Sequence, residues 1–559
     1  SSQSVMMRFC PNPMHLGREM TGRSPQKFPR SVLLNRFALV ALVCGCGMSA
    51  AVGDDTLTTA IAEAAKRSAT QLDPERIDDI ATTQGEFLGS IDELREHLSR
   101  TATDENAEAW MNYLEVGAAV DAIESGEREL TIADRATRIT HKATGIHPGL
   151  EVSAVRRLRS AAGRYSNALR FRQKDRTIQL LARQLDRFSD QWSQLDQVPS
   201  PDEIATLRLL LDLLRRTDQD VRLMDAVNDQ FGNPNIRLTV DHALVEQGIA
   251  RDVNEVTPVR DCILGTRLVG DARLNGRVTA KLLPSSETIR MQIALSGSFT
   301  SKNIGYNGPV RLRTSGDGLV HASRTVEVSD SGIRFAPISA SASMQTRIDR
   351  IEHRLKLVRN IARKRAAKQK PQADRIAHGR LISRLSEEFD GQTDQASGAM
   401  PEVLEKAKAM LLRLDLEEPS RHFSSTADAV FVSATIRNQG QLAASLPPPS
   451  LSLDHDAVIQ IHESLINNTL GTIFAGRTMT RSELQGLVSR AKLDDKVQSD
   501  EDVAEFEIDF DRTRPIIFEA RNGHLRIGVR GTRFAQGARE LKRPLEIVAV
   551  YRPVNNQSG

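Results

Sequence analysis

The chain has 559 residues, 40% hydrophobic and 26% charged, which excludes collagenous, disulfide-dense and wholly disordered classes and leaves room for about three or four domains. With 75 Lys+Arg against 72 Asp+Glu its formal charge is +3. Aromatic residues are only 4% of the chain, so carbohydrate platforms and base-stacking surfaces, which need exposed rings, are poorly supplied.

The first expected element is an export signal over residues 1–51. Arg30 to Arg36 make a basic lead, Phe37 to Met48 an apolar run too short to span as a mature helix, and Ser49-Ala50-Ala51 the small residues before an acidic start at Asp54-Asp55. Cleavage is expected after Ala51, in the periplasm or cell envelope. Val43-Cys44-Gly45-Cys46 is similar to a bacterial lipobox, which would place a lipid anchor on Cys46. Cleavage after Ala51 leaves Cys262 as the single cysteine, with no internal disulfide, and Cys262 is expected as a small buried hydrophobe in a strand.

Residues 55–231 read as a helical bundle or coiled coil. Thr103 caps a stripe of Ala107, Trp110, Met111 and Leu114, and Ile178, Leu181, Leu185, Phe188, Trp192 and Leu195 step by three and four. Ser200-Pro201-Asp202-Glu203 is a capping box that restarts a helix after the break at Pro199. Both tryptophans sit on packing stripes. From Asn233-Pro234-Asn235 the period changes to two, clearest at Ile289, Met291, Ile293, Leu295, Gly297 and Phe299, and predicts an antiparallel β region over 234–338.

A charged helical hairpin is expected over 340–419. Ile348, Ile351, Leu355 and Val358 fit a helical seam, Pro371 interrupts it, Ile376, Leu381, Leu385 and Phe389 continue it, 391–398 reads as a loop, and Pro401 opens another helix. The last unit, 424–556, reads as α+β: strands near Val430–Ile436 and Val458–Ile461, a helix bearing Leu465, Ile466, Leu470, Ile473 and Phe474, a short helix capped at Thr480, and strands around an Asn522-Gly523 hairpin. The fold class expected is therefore multidomain α and β.

Charge is the chief functional lead. Residues 345–385 hold 13 Lys/Arg against three acids, whereas 386–419 hold nine acids against three bases, and removal of residues 1–51 turns the whole-chain +3 into −2. One reading is an antiparallel helix pair whose opposite charges face each other or solvent. The other is contact with an anionic membrane or envelope polyanion through Arg347, Arg350, Arg354, Lys356, Arg359, Arg363, Lys364, Arg365, Lys368 and Lys370. Export and the lack of stacking rings in this stretch argue against nucleic acid.

No complete nucleophile, phosphate or dinucleotide motif is present, so no catalytic residue and no cofactor is assigned. Asp454, His455, Asp456, His462 and Glu463 have metal-ligand chemistry but no standard spacing; a zinc-hydrolase helix would need His where Ile466 stands. They read as a turn, a strand and a helix start. The order of bundle, β unit, charged hairpin and α+β unit resembles large exported bacterial proteins of uncharacterised function, a likeness that assigns no site. The expectation is a non-enzymatic envelope protein, a scaffold or peripheral interaction protein acting through the basic helix, with protein partners along its helical seams. The alternatives are a carrier of lipid or another apolar ligand in a groove between long strands and a helix, as in tubular lipid-binding proteins, and a hydrolase with scattered catalytic residues.

Overall fold

The computed structural model describes residues 4–8, 45–46, 55–195, 199–219, 221–397, 400–451, 455–490, 505–521 and 523–552. Of the expected export signal only short strands at Ser4–Arg8 and Gly45–Cys46 fall among them; the expected cleavage point after Ala51 lies outside the described residues. Among the described residues fourteen α-helices and three antiparallel sheets make a multidomain α and β protein.

Nine helices fill 55–230 around two cores. Leu181, Leu185, Phe188 and Trp192 on the helix Lys174–Trp192 meet Leu207, Leu211 and Leu214 on the helix Pro201–Arg216. The Ser200 and Glu203 side chains satisfy each other's backbone N–H, the reciprocal cap expected from the sequence. Trp110 packs against the other core, around Phe87, Leu94, Leu158 and Tyr165.

The second body is a meander of unusually long strands, Arg251–Ile263, Thr266–Leu283, Ile289–Asn307, Val310–Ser329 and Ser339–Glu352, with a short strand, Gly332–Phe335, beside the end of the fourth. Its inner face carries the predicted alternation of Ile289, Met291, Ile293, Leu295, Gly297 and Phe299. Gly276 and Gly297 are cross-strand partners on that face, and a Cβ on Gly297 would meet the Asn275 carbonyl oxygen at 2.5 Å and Gly276 Cα at 2.8 Å. Side chains there would prise the backbones apart, so glycine is needed where the two strands approach this closely.

Across this face runs the helix Lys356–Ser397, 42 residues long. At about 1.5 Å per residue it is roughly as long as the strands it covers. It touches both edge strands: Arg380 and Arg384 reach Asp261 on the first, while His378 Nε2 lies 2.8 Å from the Ala342 carbonyl on the last. One helix held by both edges of a sheet defines a curled trough with a helical lid.

Several expectations for 340–419 are corrected here. Residues 339–352 are a strand, because Ala340, Ala342, Met344, Thr346 and Ile348 alternate inward, with a register shift at Arg313/Thr314; the spacing from Ile348 to Val358 joined the end of that strand to the start of a helix. The helix continues through Pro371 and on to Ser397, across the stretch read as a loop. Instead of pairing with the acidic segment as a hairpin, it packs on strands 339–352, 310–329 and 251–263. Cys262 is exposed rather than buried, since Asp261 and Ile263 on either side point inward.

The strand Ile236–Asp241, expected in the β region, pairs instead with Ala429–Thr435 and Ala457–His462. The helix Glu463–Phe474 follows, and a second sheet holds Phe506–Phe510, Ile516–Arg521, His524–Gln536 and Leu545–Tyr551. Gly523 takes φ +72° in the expected hairpin; Asn522 lies outside the described residues. The trough joins this unit at one end, where Leu282 and Ile289 share a core with Val240, Phe423 and Val430, Ser285 bridges Ser425, and Arg421 pairs with Asp330.

Candidate functional site

The space between trough and helix is set by side-chain size. Along the first half of the helix the residues facing the sheet include four alanines, Ala362, Ala366, Ala373 and Ala377, at steps of four, seven and four, with Val358 and Gln369 beside them and the half-exposed Ile361 at the edge. Further along, Leu381, Leu385 and Phe389 occupy the equivalent positions, and Leu385 and Phe389 are buried against Val278, Leu295, Phe299 and Val320. The alanine half cannot fill the curve of the sheet. A cleft of about 350 Å³ remains, walled by Leu268, Leu312, Met344 and Ile348 from the strands. A second space of about 290 Å³, beside Leu381 and Leu385, is walled by Val253, Val259, Ala272 and Leu274. Ile263, Leu268, Asn303, Met344 and Ala377 border both, so the two are lobes of one largely apolar groove.

Polar side chains line it as well, among them Ser301, Asn303, Thr346, Gln369 and Asp374. Asp374 is held by Lys370 Nζ at 2.6 Å and accepts from Thr346 Oγ1, which ties the helix to the last strand. Asn303 Oδ1, where the lobes meet, is buried without a hydrogen-bond partner. Deeper in, Arg324 is 7% exposed, lies 4.5 Å over the Phe335 ring, and donates to Asp390 at 2.8 Å and Thr393 at 2.6 Å, fastening the end of the helix.

The ten basic residues singled out from the sequence divide between a strand and a helix. Arg347 and Arg350 sit on the strand 339–352, where Arg347 pairs with Asp317 at 2.7 Å and Arg350 approaches Glu352 at 3.8 Å. Arg359 donates to the His353 carbonyl at 3.0 Å, and Lys370 is engaged with Asp374. Arg354, Lys356, Arg363, Lys364, Arg365 and Lys368 are exposed around the helix start. Sequence reasoning missed their neighbours: Leu355, Leu357 and Ile361 are 63%, 72% and 59% exposed. Leu357, Ile361, Lys364 and Lys368 follow at steps of four, three and four, so apolar and cationic groups share one outward stripe. The turns at 264–265 and 308–309 come to the same end of the trough, where Arg267 and Arg311 both lie within 5.8 Å of the Tyr306 ring.

The candidate metal residues do not converge. Asp454 lies outside the described residues, His462 is buried as the cap of helix 463–474, and the Asp456 carbonyl accepts from the Asp241 N–H at 2.8 Å. Among the described residues no group of three or more His, Cys, Asp or Glu could hold a metal ion, and no described helix is long and apolar enough to cross a membrane.

No protein-family model matches the chain, and no curated protein matches it. Among solved structures it is similar to a crystal structure of lipopolysaccharide binding protein, with 12% identity, 57% of this chain and 79% of that chain covered, and a TM-score of 0.23. A likeness of that size leaves the site to be read from its own geometry.

Proposed function

We propose that the protein binds and carries a lipid or similar apolar molecule in the groove between the trough and its helix, taking the ligand up at an anionic surface through the basic end. The observation that carries this is the groove itself: a two-lobed apolar space, in the size range of ligand pockets, kept open by an alanine face where a solid core would have placed leucines. The unpartnered acceptor at Asn303 suits a ligand that can donate one hydrogen bond there. The exposed stripe of Leu357, Ile361, Lys364 and Lys368 supports the loading step, since apolar side chains flanked by cations suit the headgroup boundary of an anionic bilayer. This reading keeps the peripheral contact expected of the basic residues and gives it a purpose. An exported or lipid-anchored protein of the cell envelope would meet such a surface.

The test is solvent extraction and native mass spectrometry of the purified protein. Lipid should accompany the wild type and be largely lost from Ala366→Trp and Ala373→Trp, whose indoles fill the groove, with the circular dichroism spectrum unchanged. A wild type that carries no lipid and binds none from vesicles would leave the groove without this role.

A further inference from the structure

A second cavity, of about 100 Å³, lies away from the groove, between the bundle helix Pro201–Arg216 and the start of the helix Glu463–Phe474. Arg208, His462, Glu463, Arg514, Glu519 and Arg521 all border it. Two of these charges are already satisfied by each other. Glu519, 5% exposed, accepts from Arg514 and, at 2.6 Å, from Arg526.

The remainder are only partly satisfied: Arg521 Nη2 lies 3.9 Å from Glu463 Oε1. His462 is 8% exposed, and its Nδ1 accepts the Ser464 backbone N–H at 3.2 Å. Burial, with Arg208 adding to it, lowers the His462 pKa to about 4, so the ring is neutral near pH 7. A neutral imidazole that accepts at Nδ1 carries its proton on Nε2. That Nε2, Arg208 Nε and Arg521 Nε are all buried without a hydrogen-bond partner. All three are donors, the three side chains that carry them border one small space, and that space opens on a helix N-terminus. The acid beside them is Glu463, which burial pushes towards its neutral form against the pull of Arg521, 3.9 Å away, and which accepts from the Ala520 N–H at 3.4 Å.

We infer that this cavity binds a small oxyanion of the carboxylate or phosphate monoanion class, whose oxygens accept from His462 Nε2–H, Arg208 and Arg521. Three orphaned donors and no unengaged ionised acceptor are the complement of such a ligand. The site shares none of its walls with the apolar groove, and anion titration and lipid extraction fail independently.

The experiment titrates the full chain with acetate, inorganic phosphate and chloride at matched ionic strength, following thermal unfolding and the ¹⁵N shift of the His462 imidazole. A saturable rise in Tm with acetate or phosphate and none with chloride is expected, with the His462 resonance moving over the same range. The acetate and phosphate arms separate a planar from a tetrahedral ligand. Arg208→Met should weaken the response at least about tenfold. If that variant does not fold, ³¹P line-broadening of phosphate by the wild type, reversed by acetate, replaces it. Equal responses to all three anions, or a silent His462 resonance, would mean the cavity holds only water and would overturn the site.

Discussion

Arg324 shows what one buried guanidinium does in this molecule. It is desolvated between sheet and helix, and its Asp390 partner is half exposed, so the pair contributes little beyond its own desolvation cost. Removing the arginine nonetheless takes its donor from the Ala336 carbonyl and one accepted bond from Thr393, which keeps its own bonds to the Phe389 and Asp390 carbonyls. Arg324→Met should lower stability by about 2 kcal/mol, read as the denaturant midpoint, and speed amide exchange in 386–397. Three other side chains set the acid limb. Burial lowers His462 to about 4 and His141 to about 3, so below the ordinary value of 6.5 the unfolded chain takes up protons that the folded chain refuses. Stability should therefore fall as pH drops from about 6.5 towards 4. The Arg413 hydrogen bonds hold Glu151 down to about 2. Its contribution is present above 4.5 and is lost as pH falls from there towards 2. Chemical denaturation across this range should show both limbs, with the upper one shallower in His462→Asn, because Asn keeps the helix cap without titrating.

The 42-residue helix is the element on which the site depends. Pro371 has no N–H to give the Ala367 carbonyl, yet the helix continues, both residues being exposed so that water takes that carbonyl. Pro371→Ala should raise stability by about 1–3 kcal/mol in thermal unfolding. An unchanged or lower Tm would mean that the proline suits the curve of the trough. This helix also shows where the sequence was legible. Strand alternation at 289–299 and the four-residue steps of Leu381, Leu385 and Phe389 identified both walls of the inner part of the groove. Its open half was hidden, because Ala362, Ala366, Ala373 and Ala377 give too thin a stripe to distinguish a face that packs from one that faces water. The strand 339–352 was hidden for a related reason: its inward residues are mostly alanine, methionine and threonine, and the isoleucines near its end mimic helical spacing.

At the scale of the whole molecule, charge is segregated along its length. The whole chain carries a formal +3 while the stretch 345–385 alone carries +10, so the remainder is −7. Binding to vesicles containing anionic lipid should therefore be strong at low salt, weak at high salt, and absent for zwitterionic vesicles. A triple reversal, Arg363→Glu, Lys364→Glu and Arg365→Glu, should reduce it at least tenfold by co-sedimentation. Binding indifferent to salt and to the reversal would remove the membrane from the account while leaving the groove. The contacts of Leu282, Ile289, Ser285 and Asp330 with Val240, Phe423, Ser425 and Arg421 join the trough to the rest of the molecule at one end, and the exposed leucines and arginines lie at the other. The trough is thus a cantilever. A few degrees of pivoting at that root sweep the far end through several ångströms, enough to tilt it against a surface while the bundle stays still.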